Sequence, residues 1–65
     1  MSDWLTLINL ASRDGYRVRF DEEAEGWIVI APKAFRRPEQ EHGSFKDESA
    51  AWRGAAFLAS KDRTH

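Results

Sequence analysis

Two apolar segments separated by an acidic turn are the feature that most constrains how this chain can fold. Residues 16–20 alternate between apolar and basic side chains, and the apolar run Trp27–Ala31 follows a turn that ends in Gly26. Strict alternation is typical of a half-buried strand, and a run that is apolar on both faces is typical of a central strand. The pair therefore predicts an antiparallel hairpin, in which Gly26 supplies the left-handed residue of the turn.

Helical patterns lie before and after this hairpin. The first predicted helix runs from about Asp3 to Arg13, with Ser2 as its N-cap and Gly15 as its C-terminal stop. The second runs from about Glu48 to Ser60, with Asp47 as its N-cap. Serine and aspartate are favoured N-caps because their side chains accept hydrogen bonds from the first turn, and glycine favours the end of a helix.

A third strand is expected around His42–Phe45, because a central strand needs a neighbour on each side. The predicted fold class is therefore α+β, with a three-stranded antiparallel sheet, two helices packed on it and the order α-β-β-β-α. The chain of 65 residues is expected to form a single small domain over residues 1–65. Residues 33–41 are predicted to form a long polar loop, and residues 61–65 a frayed tail.

Aromatic residues are distributed over all the predicted elements. We expect a common core that contains one tryptophan from each helix and one from the hairpin, together with the inward-facing residues of the first strand. These residues are Trp4, Trp27, Trp52, Tyr16, Val18 and Phe20. Phe57 falls on the opposite side of the second helix, with Ala50 and Gly54. Either the sheet curls around this helix, or Phe57 is an exposed anchor for a partner, which Gly54 would allow to approach closely; we predict the second.

The composition argues against an enzyme. The chain has no cysteine, which excludes disulfides, thiolate metal sites and a cysteine nucleophile, and its two histidines lie far apart. It also has no glycine-rich phosphate loop and no stretch long enough to span a membrane. We expect no catalytic residues, no metal and no cofactor, and a cytoplasmic location.

The charges are unevenly distributed along the chain, although the net charge is only −1. Residues 21–48 contain eight acids and four bases, a net charge of −4, and the remainder contains six bases and three acids, a net charge of +3. The most acidic segment is the turn, with carboxylates at Asp21, Glu22, Glu23 and Glu25. Such polarisation bears on the choice of partner and on the association rate rather than on the fold.

Two interpretations of the acidic turn stay open. It is either a solvated hairpin tip, which is the usual role of a charge run, or a carboxylate cluster that meets a basic partner. In the second case the carboxylates imitate successive phosphates, and Glu39 and Glu41 extend the row if the loop folds back beside the hairpin. Calcium is a third candidate ligand for the turn, although the EF-hand pattern is absent.

Four arginines form the basis of an alternative function. Arg17 and Arg19 lie on the outer face of the sheet, and Arg36 and Arg37 lie in the loop. They either pair with acids and cover the apolar residues of the central strand, or contact nucleic acid. The alternative prediction is therefore a small nucleic-acid-binding or transcriptional accessory protein of a phage or mobile element.

The whole chain resembles the very small proteins that bacteriophages and mobile elements encode to block host defences. Its size, the absence of cysteine, the α-β-β-β-α order and the acidic turn at residues 21–25 are similar to those of type I anti-CRISPR proteins, including inhibitors of type I-C systems. These inhibitors share no common motif, so functional residues are not transferred individually.

The resemblance implies a non-enzymatic inhibitor that binds the CRISPR surveillance complex Cascade of the host. Its partner would be the DNA-binding subunit of that complex, and target DNA would be excluded by charge mimicry or by shape. The resemblance further implies a monomer or weak homodimer that acts in the bacterial cytoplasm, without a membrane or direct nucleic-acid contact. The residues expected to bind the partner are Asp21, Glu22, Glu23, Glu25, Glu39, Glu41 and Phe57. An antitoxin-like partner of another small protein is a third possibility.

Overall fold

A computed structural model describes residues 3–34 and 37–63 and confirms the α+β class and the order of elements. The five elements follow one another along the chain as α1 (Trp4–Arg13), β1 (Arg17–Asp21), β2 (Gly26–Ala31), β3 (Gln40–Phe45) and α2 (Glu48–Arg63). Neither described helix has the length and apolar content that crossing a bilayer would require.

The three strands form one antiparallel sheet in the order β1-β2-β3. The central position of β2 explains why its residues are apolar on both faces. The loop is shorter than the predicted range 33–41, because Gln40 pairs with Ala31 and Glu41 pairs with Ile30. The last two residues of the predicted loop therefore belong to β3.

Both ends of α1 are capped by hydrogen bonds. The N-cap is Asp3, which accepts hydrogen bonds from the backbone N–H of Thr6 at 3.3 Å and from its hydroxyl at 2.6 Å. The prediction of Ser2 concerns a residue outside the described ranges, and the role assigned to it belongs to Asp3. Gly15 ends the helix as predicted, with φ at +101°, a conformation that costs glycine little.

The helix α2 begins as predicted but extends further. The carboxylate of Asp47 caps it by accepting the backbone N–H of Ala50 at 2.7 Å. The predicted fraying over residues 61–65 is wrong for residues 61–63, which are helical. The physical reason is that Asp62 is held by hydrogen bonds from Tyr16 and Arg37, which anchor the last turn. Residues 64 and 65 lie outside the described part of the chain.

The core is made mainly of small side chains. The helix α2 presents Ala51, Ala55 and Ala59 to a cluster that contains Val29 and Tyr16. This helix contacts all three strands, and the main contact of α1 is with α2. The Cα positions span only 15 Å along the shortest axis, which fits two thin layers.

The prediction of a core built on tryptophans is wrong for Trp4 and holds only in part for Trp27 and Trp52. Trp4 is 41% exposed, and Trp27 and Trp52 are only partly buried at the margin of the cluster. Phe20, also predicted to be core, is 51% exposed and packs edge-on against Trp27, with ring centroids 5.7 Å apart. The alanines bring the backbones close together, so the large rings lie at the periphery of the narrow space between helix and sheet. Tyr16 is buried as predicted, and Val18 is half-buried.

Gly54 permits the contact between α2 and the end of β3. A Cβ atom at this position would lie 2.5 Å from Cζ and 2.7 Å from Cε2 of Phe45. Gly54 was predicted to let an external partner approach, but Phe45 of the same chain occupies that space. The glycine is therefore explained by internal packing.

Gly54→Ala tests this contact. Alanine favours a helix by about 0.8–1.0 kcal/mol over glycine, whereas overpacking costs about 1–3 kcal/mol. We expect the clash with Phe45 to dominate and the free energy of unfolding, measured by urea denaturation, to fall. In a Phe45→Leu background the same change should stabilise the protein. A stabilising effect in the wild-type background would contradict the close contact.

Candidate functional site

The acidic turn projects from the end of the hairpin and is held by two local hydrogen bonds. The backbone N–H of Glu25 donates to the carbonyl of Glu22 at 3.2 Å, and the N–H of Glu23 donates to Oδ1 of Asp21 at 3.1 Å. The side chains of Glu22, Glu23 and Glu25 are exposed, whereas Asp21 is half-buried. Three carboxylates are therefore presented to solvent, and the fourth shapes the turn.

The left-handed residue of this turn is Glu25, with φ at +53°, and not Gly26 as predicted. Gly26 belongs to β2, is buried and pairs with Asp21. A Cβ atom on Gly26 would lie 3.0 Å from the carbonyl oxygen of Phe45 and from Cβ of Ser44. Gly26 is therefore explained by its close packing beside β3. The left-handed conformation that the turn requires is adopted by the preceding residue, Glu25.

Glu39 and Glu41 do not extend the acidic turn. The strand register places Glu41 opposite Ile30, and Glu39 directly precedes β3, so both lie toward the opposite end of the sheet. Glu39 accepts from Nη2 of Arg17 at 3.1 Å, and Glu41 accepts from Nη2 of Arg19 at 3.4 Å. The four side chains thus form two ion pairs that connect β3 and the residue before it to β1.

These two ion pairs cross the outer face of the central strand. Arg17 is opposite Ile30 and Arg19 is opposite Ile28, and both isoleucines are buried although neither belongs to the core cluster beneath α2. The aliphatic stems of the arginines cover apolar area in this arrangement. All four charged groups remain largely exposed, and such pairs contribute only about 0–1 kcal/mol each.

A third ion pair joins the loop to the end of α2. Arg37 donates to Asp62 in a bidentate geometry, from Nη1 to Oδ1 at 3.1 Å and from Nη2 to Oδ2 at 2.7 Å. The hydroxyl of Tyr16 donates to Oδ2 of the same carboxylate at 2.5 Å. The cluster ties together the start of β1, the loop and the last turn of α2. Arg36 lies outside the described residues.

The electrostatics of this cluster follow from burial and from one carboxylate. Burial raises the pKa of Tyr16, and with the hydrogen bond to Asp62 and the charge of that carboxylate acting in the same direction the pKa reaches about 12. The hydrogen bonds and charge of Asp62 also raise the pKa of Arg37. At neutral pH the tyrosine is therefore a neutral donor and the arginine a cation.

The cluster also forms part of a cleft of about 230 Å³. The cleft lies between β3 and the last turns of α2, and its lining combines the three clustered residues with two polar side chains of β3, one lysine and two apolar residues. The lining residues are Tyr16, Arg37, Asp62, Gln40, His42, Lys61, Ala31 and Leu58. Sequence reasoning missed this site because its residues are far apart in the chain. The one available signal was the hydroxyl of Tyr16, which requires a partner when the ring is buried.

Phe57 is 63% exposed on the outer side of α2, as predicted. The surface predicted around it is smaller than expected, because Gly54 packs against Phe45 and Ala50 is half-buried. Phe57 is separated in sequence from the acidic turn by β2, β3 and the first half of α2.

Metal binding finds no support in the described part of the chain, since no group of three or more carboxylate or histidine side chains is positioned to hold an ion. No protein-family model matches the chain, and no curated protein and no solved structure matches it significantly.

Tyr16→Phe tests the cluster around Asp62. Hydrogen bonds to charged groups contribute about 1.5–3 kcal/mol, and we expect a loss of this size in the free energy of unfolding at pH 7. Urea denaturation followed by tryptophan fluorescence measures it. An unchanged stability at pH 7 would contradict the hydrogen bond.

The same variant tests the raised pKa of Tyr16. The tyrosine of the unfolded chain ionises near pH 10, and the folded one near 12, so the unfolded state binds fewer protons between these values. The contribution of Tyr16 to stability is therefore complete below pH 10 and is lost as the pH rises to about 12. The stability difference between wild type and Tyr16→Phe should shrink over this window.

Proposed function

We propose that this chain is a non-enzymatic inhibitor that binds a basic surface of a protein partner through its acidic turn. The supporting observation is the exposure of Glu22, Glu23 and Glu25 on a turn that two hydrogen bonds hold in shape. Preorganisation reduces the ordering cost of binding, and clustered carboxylates compete for the lysines and arginines that contact phosphates.

The proposed partner is the DNA-binding subunit of a type I CRISPR surveillance complex in the bacterial cytoplasm. The small size, the order of elements and the acidic turn support this choice through their resemblance to anti-CRISPR proteins. In this proposal Glu39 and Glu41 serve the sheet face and not the contact, because each already pairs with an arginine. The contact surface therefore consists of the turn, with Phe57 as a second, apolar contact.

The alternative function in nucleic-acid binding has less support. Arg17, Arg19 and Arg37 each form an ion pair with a carboxylate of the same chain. A phosphate would have to displace these carboxylates before it could be bound. Neutralised arginines also weaken the long-range attraction on which non-specific nucleic-acid binding depends.

The double charge reversal Glu22→Lys with Glu23→Lys tests whether the acidic turn contacts the partner. We expect binding to a purified type I surveillance complex to weaken on the order of 2–5 kcal/mol, because like charges would then meet. A gel-shift assay of target DNA measures inhibition, and a pull-down from nuclease-treated host lysate identifies the protein bait. The melting temperature should change little, since both side chains are exposed.

A matched pair of variants separates local contact from net charge. Glu22→Gln with Glu23→Gln raises the net charge by two, as does Ser49→Lys with Ser60→Lys at exposed positions of α2. The first pair should impair inhibition and the second should not. Unchanged inhibition by the Lys reversal would exclude charge mimicry and leave blocking by shape.

Phe57→Ser tests the apolar contact. Because Phe57 is exposed, its removal should leave the melting temperature nearly unchanged while inhibition or association weakens. Leu58→Ser, at the half-buried neighbouring position, is the control that should lower the melting temperature instead. Full activity of Phe57→Ser would remove this residue from the contact surface.

A further inference from the structure

The strand β3 forms a free edge of the sheet. In the order β1-β2-β3 it pairs only with β2, and residues 40–43 follow a regular register before the shift at Ser44. In an antiparallel ladder, alternate residues of an edge strand direct their N–H and C=O groups away from the neighbouring strand. Within residues 3–34 and 37–63, no backbone hydrogen bond from outside the sheet reaches β3. These outward groups can therefore pair with an added strand.

A cleft adjoins this edge on the helix side of the sheet. Gln40 pairs with Ala31 and His42 pairs with Val29, and both of these partners belong to the core cluster beneath α2. Residues opposite each other share a face, so Gln40 and His42 face α2, and both line the cleft of about 230 Å³. A strand added beside residues 40–43 would therefore place alternate side chains next to Gln40 and His42, at this cleft.

The cleft selects the side chain that an added strand would insert. Pockets for drug-sized ligands measure roughly 300–1,000 Å³, so a cleft of about 230 Å³ is suited to one short side chain. Ala31 and Leu58 provide apolar walls. The charged residues of the lining, Arg37, Lys61 and Asp62, already have partners within the chain. A short branched aliphatic side chain therefore fits this space better than a charged one.

The opposite face of an added strand would lie beside two carboxylates. Glu41 is on the outer face of β3, and Glu39 directly precedes the strand. Their side chains are 59% and 55% exposed, although each accepts a hydrogen bond from an arginine of β1. An ionised carboxylate has about four acceptor positions, so each glutamate can accept from a second cation without losing the first. Basic side chains on this face would therefore complement the sheet.

We propose that β3 receives an extended segment of a protein partner in which basic residues alternate with short branched aliphatic ones. The backbone of the segment pairs with residues 40–43, an aliphatic side chain enters the cleft, and basic side chains lie beside Glu39 and Glu41. In recognition of this kind, backbone hydrogen bonds give affinity and pockets for alternate side chains give specificity. The site does not depend on the proposed inhibitor function, because residues 40 and 41 lie toward the end of the sheet opposite the acidic turn.

The test is an NMR titration of the full chain with the capped peptide acetyl-Lys-Val-Lys-Val-Lys-amide. We expect saturable amide shifts at residues 40–43 and slower hydrogen exchange at alternate residues of β3, because the outward N–H groups gain partners. Two control peptides replace either the lysines by glutamate or the valines by serine. Each should bind at least about tenfold more weakly, because the first places like charges beside Glu39 and Glu41 and the second has no apolar side chain for the cleft.

Two N-methylated versions of the basic peptide separate strand addition from binding by charge alone. Methylation of the valine nitrogens blocks the N–H groups on one edge of the peptide, and methylation of the lysine nitrogens blocks those on the other, because alternate residues of a strand point to opposite sides. One version should lose binding and the other should retain it. Equal affinities of the two versions would overturn strand addition.

Charge-matched variants locate the site on the protein. Glu39→Gln with Glu41→Gln should weaken binding of the basic peptide about tenfold, whereas Glu22→Gln with Glu23→Gln, which changes the net charge equally at the acidic turn, should not. The melting temperature of the first pair should change little, because exposed ion pairs contribute little to stability.

Several outcomes would overturn the proposal. The absence of saturable shifts would do so, as would shifts confined to residues 22–25 or amide protection in β1 instead of β3. Undiminished binding by Glu39→Gln with Glu41→Gln would exclude the proposed orientation of the peptide. Amide protection in β3 that grows with protein concentration, without peptide, would assign this edge to a second copy of the chain instead.

Discussion

The close approach of α2 to the sheet determines the rest of the architecture. The helix presents small side chains to the sheet at Ala51, Ala55 and Ala59. Because Gly54 has no side chain, the ring of Phe45 packs directly against the helix at that position. The resulting core is thin, so the larger aromatic rings pack around its margin. Because buried apolar area contributes roughly 25 cal/mol per Å², a core of alanines provides less stabilisation than one of tryptophans would. Polar contacts between distant segments therefore matter more in this domain.

The contact of Asp62 with Tyr16 and Arg37 has this role. It joins the start of the hairpin, the loop before β3 and the last turn of α2 through side chains that are partly shielded from water, and hydrogen bonds to charged groups are the stronger ones in proteins. The extension of α2 to residue 63 depends on it. The same cluster forms one wall of the cleft, so the contact that secures the last turn of α2 also shapes this concave surface. The acidic turn lies at the other end of the sheet, and its exposed carboxylates do not hold distant segments of the described structure together.

Local sequence patterns predicted much of this fold, because helix caps, helix ends and strand alternation each depend on residues that are close together in the sequence. The alternation of β1, the apolar run of β2, the cap at Asp47 and the stop at Gly15 are all readable from neighbours in sequence. The exposure of Trp4 and Phe20 was not readable, because apolar character does not reveal how much space the alanines leave. The bidentate pair of Arg37 and Asp62 joins residues that are 25 positions apart, and no spacing rule identifies it. Among the candidate site residues, the turn and Phe57 were located correctly in their elements, whereas the positions of Glu39 and Glu41 depended on the register of β3.

The arginines of β1 have a further consequence for the free edge of the sheet. An edge strand carries unpaired backbone groups that invite addition of another strand and so favour aggregation. If two copies of β1 paired with each other in antiparallel register, Arg17 and Arg19 of both copies would gather on one face, where like charges in neighbouring strands repel. The ion pairs that cover the central strand therefore also place charged side chains along one edge strand of the sheet, where they disfavour the addition of a second copy.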